Sequence, residues 1–278
     1  MPISYLNFYG ENRRKVIALT EDFKLIYDNE RVDKVDGKIS LIQKKDGFAY
    51  GTDAVLLAAY IRSMGSKRTA VEFGGGTGII SLLCEEYNKF GKIYSVEIQS
   101  EYFDLLKRNI AINSSKVNGV NKDVRELTAD DFGGEVDVVF SNPPYMKTDS
   151  GRSNEDLGKN TARHEVKGCI EDFCSSACKI LKHGGLFYCV YRPDRSVDLL
   201  YSMRKYRLEP KRMTYVYPYK EGRPCLMLVE AKKGGASGVF NTKPFIIFNS
   251  KTDSNSDNSA DMDKVYRECD MDDEYKRL

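Results

Sequence analysis

A glycine-rich turn, GGGTG at residues 74–78, is the feature of this sequence that most restricts the possible fold. The five residues before it, TAVEF, are typical of a short buried strand, and the IISLLCEEYN after it has the spacing of an amphipathic helix. A chain that turns sharply between strand and helix, and lets a ligand touch its backbone there, needs residues without Cβ atoms. The motif alone is also compatible with a dehydrogenase or with a tight turn that binds no ligand, so the function has to be inferred from the rest of the chain.

Predicted strands and helices alternate along the chain. The further strands are expected at residues 92–98, 116–121, 136–140 and 186–191, and the helices at residues 54–61, 100–113, 170–181 (stopped by Gly184-Gly185) and 197–205. This alternation predicts an α/β fold with a mostly parallel sheet. The last two strands, at residues 213–217 and 225–231, flank a short loop and are expected to form an antiparallel edge. We therefore predict seven strands with the last one reversed.

Changes in composition predict three regions. Residues 1–50 form a small N-terminal β appendage on the substrate side, with strands at residues 23–27 and 39–43. Residues 51–235 form the main domain. Residues 236–278 are rich in Ser, Asn and Asp and poor in apolar residues, so we expect this tail to be disordered.

The composition excludes several classes of protein. No apolar run approaches the ~18–20 residues of a membrane span, and charged residues come too early for a signal peptide. Seven cysteines without a C-x-x-C pair, and only two histidines, predict free thiols in a reducing cytoplasm and no metal site. Residues 251–278 carry nine Asp/Glu and five Lys/Arg, a net of −4, so the total of +2 leaves +6 for residues 1–250, which is compatible with RNA binding.

Acidic residues are expected at the ends of three successive strands. Glu72 precedes the glycine turn, Glu97 ends the next strand, and Asp123 follows the third. Ligands of open α/β sheets bind along that edge, where Glu97 can accept both ribose hydroxyls of an adenosine and Asp123 can meet the adenine edge. Glu72 would repel a pyrophosphate and attract a cationic methionine group. With the motif described next, the site is expected to bind S-adenosylmethionine, with further contacts at Gly74, Gly76 and Gly78.

The most specific motif is Asn142-Pro143-Pro144-Tyr145 at the end of a predicted strand. It resembles the [DNS]-P-P-[FYW] signature of methyltransferases that act on amino groups of planar systems. Such an amine is a poor nucleophile, because its lone pair is delocalised; the Asn142 side-chain oxygen and the Pro143 carbonyl can each accept one of its N–H groups. Tyr145 can stack on the planar group, which is worth roughly 1–3 kcal/mol per base. We expect Asn142, Pro143 and Tyr145 to be catalytic, Pro144 and Tyr145 to contact the substrate, and Asn142 also to contact the cofactor.

Several segments together resemble one family, the bacterial tRNA1(Val) adenine N6-methyltransferases, which modify the adenosine next to the anticodon. The matching segments are residues 42–43, 47–48, 53–57, the glycine turn, Glu97, residues 142–145, ARHE at 162–165 and residues 228–235. The resemblance implies a Rossmann-like class I methyltransferase fold and a tRNA substrate. It implies that Tyr50 and Asp53 cover the cofactor, and that residues 147–167, with Arg163 and His164, help to receive the substrate.

Other functions stay open on the sequence. A protein-glutamine N5-methyltransferase shares the NPPY motif, although residues 1–50 are predicted as strands and not as a helical substrate domain. An RNA guanine-N2 methyltransferase usually has Phe after the prolines, and an inactive module that binds S-adenosylmethionine or RNA is a further alternative. Residues 202–223 carry seven Lys/Arg and two Glu among tyrosines, which suits either a phosphate-tracking surface or a solvated edge. The expected partner is RNA, with no membrane and with a monomer or weak dimer.

Overall fold

The computed structural model describes residues 25–46, 50–144, 168–249 and 257–276. Its first element is a two-stranded antiparallel sheet, β1 (Glu30–Val35) and β2 (Ile39–Lys44). The turn between them uses Asp36 and Gly37, both with positive φ (54° and 65°), as tight hairpins require. The strand predicted at residues 23–27 is wrong for residues 25–27, because this turn sets a register that begins at Glu30 opposite Lys44.

The remaining helices and strands follow in alternation. They are α1 (Thr52–Tyr60), β3 (Gly65–Phe73), α2 (Ile79–Glu86), β4 (Phe90–Val96), α3 (Ser100–Ile112), β5 (Asn118–Val120), β6 (Val136–Ser141), α4 (Ile170–Ile180), β7 (Leu181–Tyr191), α5 (Ser196–Lys205), β8 (Leu208–Tyr217), β9 (Leu226–Lys233), β10 (Phe240–Asn241), β11 (Phe245–Ile246) and α6 (Ala260–Glu268). Gly184 and Gly185 do not stop a helix as predicted; α4 ends at Ile180, and both glycines lie within β7. None of the helices in the described parts of the chain is long and apolar enough to cross a membrane.

The central sheet has the strand order β5-β4-β3-β6-β7-β9-β8, with β10 and β11 added along the outer side of β8. Of the seven main strands only β9 runs in the direction opposite to the others, which confirms the predicted mostly parallel sheet with a reversed last strand. The last two main strands, β8 and β9, form the predicted antiparallel pair at one side of the sheet, and β9 lies between β7 and β8 and pairs with both.

Apolar cores cover both faces of the sheet. Ala70 and Val138 face the core that contains α1, α2 and α6, whereas Val71 and Val139 face the core that contains α4 and α5. This alternation of neighbouring residues between two buried faces explains why the central strands are almost continuously apolar. The two helix layers leave the ends of the strands as the accessible sides of the sheet.

Helix α3 holds the N-terminal hairpin beside the glycine turn. Asn109 accepts a hydrogen bond from the Ile42 amide at 2.6 Å, and its own amide donates to the carbonyls of Ile42 (3.1 Å) and Thr77 (2.9 Å). The neighbouring Arg108 forms a buried ion pair with Glu30 at 2.6 Å. The hairpin is therefore fixed to the same edge as the predicted cofactor site.

The C-terminal segment is ordered where the structure describes it, so the predicted disorder is wrong for residues 236–249 and 257–276. Ser259 caps α6, because its hydroxyl accepts the Met262 amide at 3.0 Å. Met262 and Val265, three residues apart, are buried in the core shared with α1. The polar composition misled the prediction, because a few apolar residues at helical spacing are enough to form one buried face.

Candidate functional site

The strand register brings the predicted site residues to one edge of the sheet. Phe73 pairs with Val96 on one side and with Ser141 on the other, and Val96 pairs in turn with Val120. The residues that follow these aligned positions are Gly74, Glu97, Asn121 and Asn142. The glycine turn and the NPP corner are therefore adjacent, as expected for the carboxyl ends of parallel strands.

Hydrogen bonds fix the shape of the glycine turn. The Gly75 amide donates to the Val96 carbonyl at 2.9 Å, and the Gly78 amide donates to the Gly75 carbonyl at 2.7 Å. Glycine is required at position 75 by packing, because a Cβ there would lie 2.0 Å from Ser95 Oγ. Sequence reasoning assigned roles to three other glycines of the turn and missed this one.

Gly76 marks the open side of the turn. It has a φ of +56°, and a Cβ built on it would meet no protein atom within 4 Å. Its amide donates to Glu97 Oε2 at 2.9 Å. The turn therefore presents backbone and not side chain to an open space, which is the kind of cradle that a nucleoside-based cofactor needs.

Glu72 lies beneath the turn and not in the open space. It is 1% exposed, and its Oε2 accepts hydrogen bonds from Ser81 Oγ at 2.5 Å and Ser95 Oγ at 2.8 Å. Burial raises the pKa of Glu72 to about 7, against the opposing effect of the two serine hydrogen bonds. Near neutral pH the residue is only partly charged, which weakens the argument that it attracts a cationic cofactor. Its contact with the cofactor stays a prediction.

Glu97 links the turn to the start of helix α3. Its Oε2 accepts the Gly76 amide, its Oε1 accepts the Gln99 amide at 2.8 Å, and its main-chain carbonyl accepts the Asn121 side-chain amide at 2.7 Å. A carboxylate offers about four acceptor sites. Oε1 also accepts a long hydrogen bond from the Gln99 side-chain amide at 3.4 Å, so three of the four sites are used and the remaining one, on Oε2, can accept a hydroxyl.

Asp123 follows β5 at the same edge and is held by Arg125. The Arg125 backbone amide and guanidinium both donate to its carboxylate, the amide at 2.9 Å. Partial burial acts to raise the pKa of Asp123, but the hydrogen bonds from Arg125 outweigh it and keep this pKa below its ordinary value. The residue is therefore a charged acceptor, and its predicted contact with adenine stays a prediction.

The NPP corner is tied to the neighbouring strand and to helix α1. Ser141 Oγ donates to the Phe73 carbonyl at 2.8 Å, which joins the ends of β6 and β3. The Asn142 side-chain amide donates to Asp53 Oδ2 at 2.9 Å. Pro143 is buried and Pro144 is half-buried. Asp53, which the family resemblance assigned to the cofactor, therefore contacts the predicted catalytic asparagine.

Tyr50, three residues before Asp53, is held by the N-terminal hairpin. Its amide donates to Gln43 Oε1 at 2.8 Å, and Gln43 Nε2 donates to Asp33 at 2.6 Å. Partial burial, followed by the nearby charge of Asp33, raises the pKa of the Tyr50 hydroxyl. Gln43 is among the residues that carry the family resemblance, but sequence reasoning gave it no role, although a glutamine in a predicted buried strand is a signal of one.

Some predicted substrate residues lie outside the described part of the chain. These are Tyr145, Arg163 and His164, whose roles stay predictions. Of the seven basic residues at 202–223, Arg212 cannot contact a phosphate, because it is fully buried and pairs with Glu230 at 2.8 Å. Lys211 donates to carbonyls of the C-terminal segment. The choice between a phosphate-tracking surface and a solvated edge stays open for the others. The described residues contain no group of three or more His, Cys, Asp or Glu that could hold a metal ion.

Comparison with protein families gives a match to the model of the methyltransferase small domain, over residues 45–205, more than half of the 278-residue chain. The chain belongs to this family. It is similar to the tRNA1(Val) (adenine(37)-N6)-methyltransferase of Phocaeicola vulgatus, with 27% identity over 184 residues that cover 66% of this chain and 76% of that protein. A protein of the same name from Porphyromonas gingivalis is 28% identical over 185 residues, which cover 63% and 72% of the two chains.

Solved structures share the fold at low sequence identity. A protein of Agrobacterium tumefaciens, described as a predicted O-methyltransferase, superimposes with a TM-score of 0.62 at 18% identity, covering 79% of this chain and 98% of that one. The M. jannaschii TYW2 protein, solved in complex with AdoMet, gives a TM-score of 0.50 at 15% identity, covering 74% and 86%. These similarities confirm the predicted Rossmann-like methyltransferase fold.

Proposed function

We propose that this protein is an S-adenosylmethionine-dependent methyltransferase that methylates N6 of an adenosine in tRNA, next to the anticodon. One observation carries the proposal: the pairing of Phe73 with Ser141 sets the glycine turn directly beside the NPP corner. A cofactor seated on the turn and an amine held at the corner would therefore meet at one edge of the sheet.

The residues around the turn fit this cofactor. When bound, S-adenosylmethionine supplies an electrophilic methyl group. Gly76 offers open backbone. Glu97 keeps an acceptor site on Oε2 for one ribose hydroxyl, and the second hydroxyl would replace the long 3.4 Å contact from the Gln99 side chain on Oε1. Asp123, charged through its pairing with Arg125, is available to the adenine edge. Gly74 and Gly78 complete the turn, at φ of +70° and +86°.

The NPP corner supplies the acceptors for the amine. The Asn142 carbonyl oxygen and the Pro143 main-chain carbonyl would each accept one N–H, which holds the nitrogen and favours the pyramidal geometry that frees its lone pair. Aligning two held reactants supplies much of the rate of an in-line displacement. The chain needs no strong base, since the proton is acidic once the nitrogen carries a methyl group. Stacking on Tyr145 is part of the proposal.

The names of the relatives and the N-terminal hairpin support adenine in tRNA over the alternatives. Both relatives described above are named as tRNA adenine N6-methyltransferases. Residues 30–44 form a β-hairpin, which gives no support to the helical substrate domain expected of a protein-glutamine methyltransferase. The tyrosine at position 145 differs from the Phe that is usual for guanine N2 methylation. A tRNA substrate also implies that the protein acts in the cytoplasm.

The direct test is the identity of the methylated nucleoside. Purified protein is incubated with labelled S-adenosylmethionine and bulk tRNA from a strain that lacks the modification, and the tRNA is digested to nucleosides. We expect the label in N6-methyladenosine. Label in guanosine, or in protein alone, would contradict the proposal. Calorimetry with S-adenosylhomocysteine tests the cofactor site separately, and absence of binding would remove the basis of the proposal.

A further inference from the structure

The contact between Asp53 and Asn142 joins two parts of the chain that are 89 residues apart. Asp53 Oδ2 accepts the Asn142 side-chain amide at 2.9 Å, while its other oxygen, Oδ1, accepts the Ala54 backbone amide at 2.9 Å. The carboxylate therefore lies between the first turn of α1 and the NPP corner. This contact gives Asp53 a partner other than the cofactor.

The chemistry of the pair determines how the asparagine is oriented. An ionised carboxylate only accepts hydrogen bonds, whereas an amide has an NH2 that donates and an oxygen that accepts. The branch of Asn142 that faces Asp53 must therefore be the NH2. The acceptor Oδ1 is consequently fixed on the branch that turns away from Asp53, and an acceptor is what an amine substrate needs.

The position of Asp53 is itself well determined. Every residue of α1 from Ala54 to Tyr60 is buried, so the helix is a rigid support. Gly51 lies just before the helix, and a Cβ at that position would be 2.6 Å from Asp53 Oδ1. The glycine leaves room for the carboxylate to fold back over the start of the helix. The position of Asp53 is therefore set by the buried helix that follows it and by the small residue, Gly51, that precedes it.

We infer that Asp53 is a positioning residue for methyl transfer, which acts by holding the Asn142 amide with its oxygen toward the amine substrate. The inference rests on the proposed function, since it assigns Asn142 the role of amine acceptor. Without Asp53 the amide would lose the contact that sets this orientation, and an NH2 turned toward the amine would repel its N–H groups. The loss would fall on turnover and not on cofactor binding.

An exchange of the two side chains tests this role. Asn142→Asp places two carboxylates against each other and is expected to reduce the single-turnover rate. Adding Asp53→Asn restores the hydrogen bond in the reverse direction: the amide at position 53 now donates to the carboxylate at position 142. The second carboxylate oxygen at position 142 can still accept from the amine. We expect the double variant to be at least ~10-fold faster than Asn142→Asp alone, because misplacing a reacting group by about 1 Å costs on the order of 100-fold. A residue that only stabilised α1 would give no such rescue.

Asp53→Ala separates positioning from cofactor binding. At saturating labelled S-adenosylmethionine and bulk unmodified tRNA, we expect its rate to fall by about 10–100-fold. The calorimetric Kd for S-adenosylhomocysteine should stay within about threefold, because Asp53 acts on Asn142. Asp198→Asn is the matched control: Asp198 also lies in the first turn of a helix and pairs with Arg195, and this variant should keep the wild-type rate.

Three results would overturn the inference. Asp53→Ala could turn over at the wild-type rate, it could lose more than tenfold in S-adenosylhomocysteine affinity while keeping its rate at saturating cofactor, or the double variant could be no faster than Asn142→Asp. Failure of the proposed function is recognised separately, since the wild-type protein would then bind S-adenosylhomocysteine but place no label in adenosine. Melting temperatures of all variants show whether each one folds.

Discussion

At the scale of single residues, Glu72 and Glu97 were both predicted to contact the cofactor, but the structure places them in different surroundings. Both side chains are buried, but Glu97 holds two backbone amides at the edge of the sheet, whereas Glu72 is enclosed by two serines. The difference follows from position. Glu72 is the last but one residue of β3 and points into the protein, while Glu97 follows the last residue of β4.

The raised pKa of Glu72 predicts a pH-dependent stability. In the pH window from the ordinary 4.5 to about 7, the folded protein holds a proton that the unfolded chain has released. Its contribution to stability is therefore present below pH 4.5 and is lost as the pH rises toward 7, at up to about 1.4 kcal/mol per pH unit. Glu72→Gln, which mimics the protonated form, should not show this loss.

Urea unfolding at pH 5 and pH 7.5 measures this effect as a difference between the two proteins. The free energy of unfolding of Glu72→Gln minus that of the wild type should be roughly 2–3 kcal/mol larger at pH 7.5 than at pH 5. Other titrating groups contribute equally to both proteins and cancel. An unchanged difference would show that Glu72 ionises normally in the folded state.

The predicted role of Asn142 separates catalysis from cofactor binding. Asn142→Ala removes an acceptor aimed at the reacting amine, and a single such partner is worth about 100-fold or more in rate. We expect turnover to be lost while the affinity for S-adenosylhomocysteine changes by no more than a few-fold. Asn249→Ala, an exposed asparagine on the surface, is the control. A variant with undiminished rate would refute the role.

At the scale of elements, the glycine turn depends on a contact with its neighbouring strand. Gly75→Ala would bring a Cβ within 2.0 Å of Ser95 Oγ, and overpacking of this kind costs roughly 1–3 kcal/mol. In a Ser95→Ala background the same substitution should cost clearly less, because the obstructing oxygen is gone. Urea unfolding of the four proteins in this cycle gives the coupling energy. If the effects of the two substitutions on the free energy of unfolding are strictly additive, the predicted contact between the Cβ introduced at position 75 and Ser95 Oγ does not cause the loss.

The turn and the NPP corner could be predicted from sequence because both are local. Each consists of a few consecutive residues after a strand, with glycine or proline limiting the backbone. Asn109 shows where such reasoning ends. It lies on the buried side of α3 and bonds to Ile42 and Thr77, 67 and 32 residues away. A buried asparagine beside leucines signals that partners exist, but only the folded chain shows which ones.

At the scale of the whole molecule, the C-terminal segment completes the core beside α1. Arg212 is fully buried, and its guanidinium donates to the carbonyls of Tyr60 at 2.8 Å and Tyr275 at 2.5 Å. Glu230 supplies the opposite charge. Composition could not predict this arrangement, since the average of a segment hides the few residues that are buried and the long-range partner that binds them.

A chain ending at residue 256 should lose much of its stability. The truncation removes the buried residues Met262, Val265, Cys269, Met271 and Tyr275. Each buried apolar side chain contributes about 1.5–3 kcal/mol, and the sum is comparable with the ~5–15 kcal/mol of a typical domain. We expect the melting temperature to fall by at least ~10 °C or folding to fail. A wild-type melting temperature would show that the segment is dispensable.

Point substitutions test the same interface if the truncated chain does not fold. Val265→Ala removes buried methyl groups between α6 and α1 and should cost roughly 1–3 kcal/mol. Asp263→Ala, on the exposed side of the same helix, should change the free energy of unfolding by less than about 0.5 kcal/mol. Equal effects of the two substitutions would contradict the buried interface.

The short strands β10 and β11 have a consequence for how copies of this protein behave at high concentration. An open strand edge exposes a row of unpaired amides and carbonyls that can recruit another chain and begin aggregation. Here two-residue segments occupy β8 at Arg212–Met213 and Val216–Tyr217, and β5 at the far side offers only three residues. Neither edge of the described sheet offers a long strand for pairing with another molecule. At high concentration we therefore expect the protein to resist aggregation through its sheet edges.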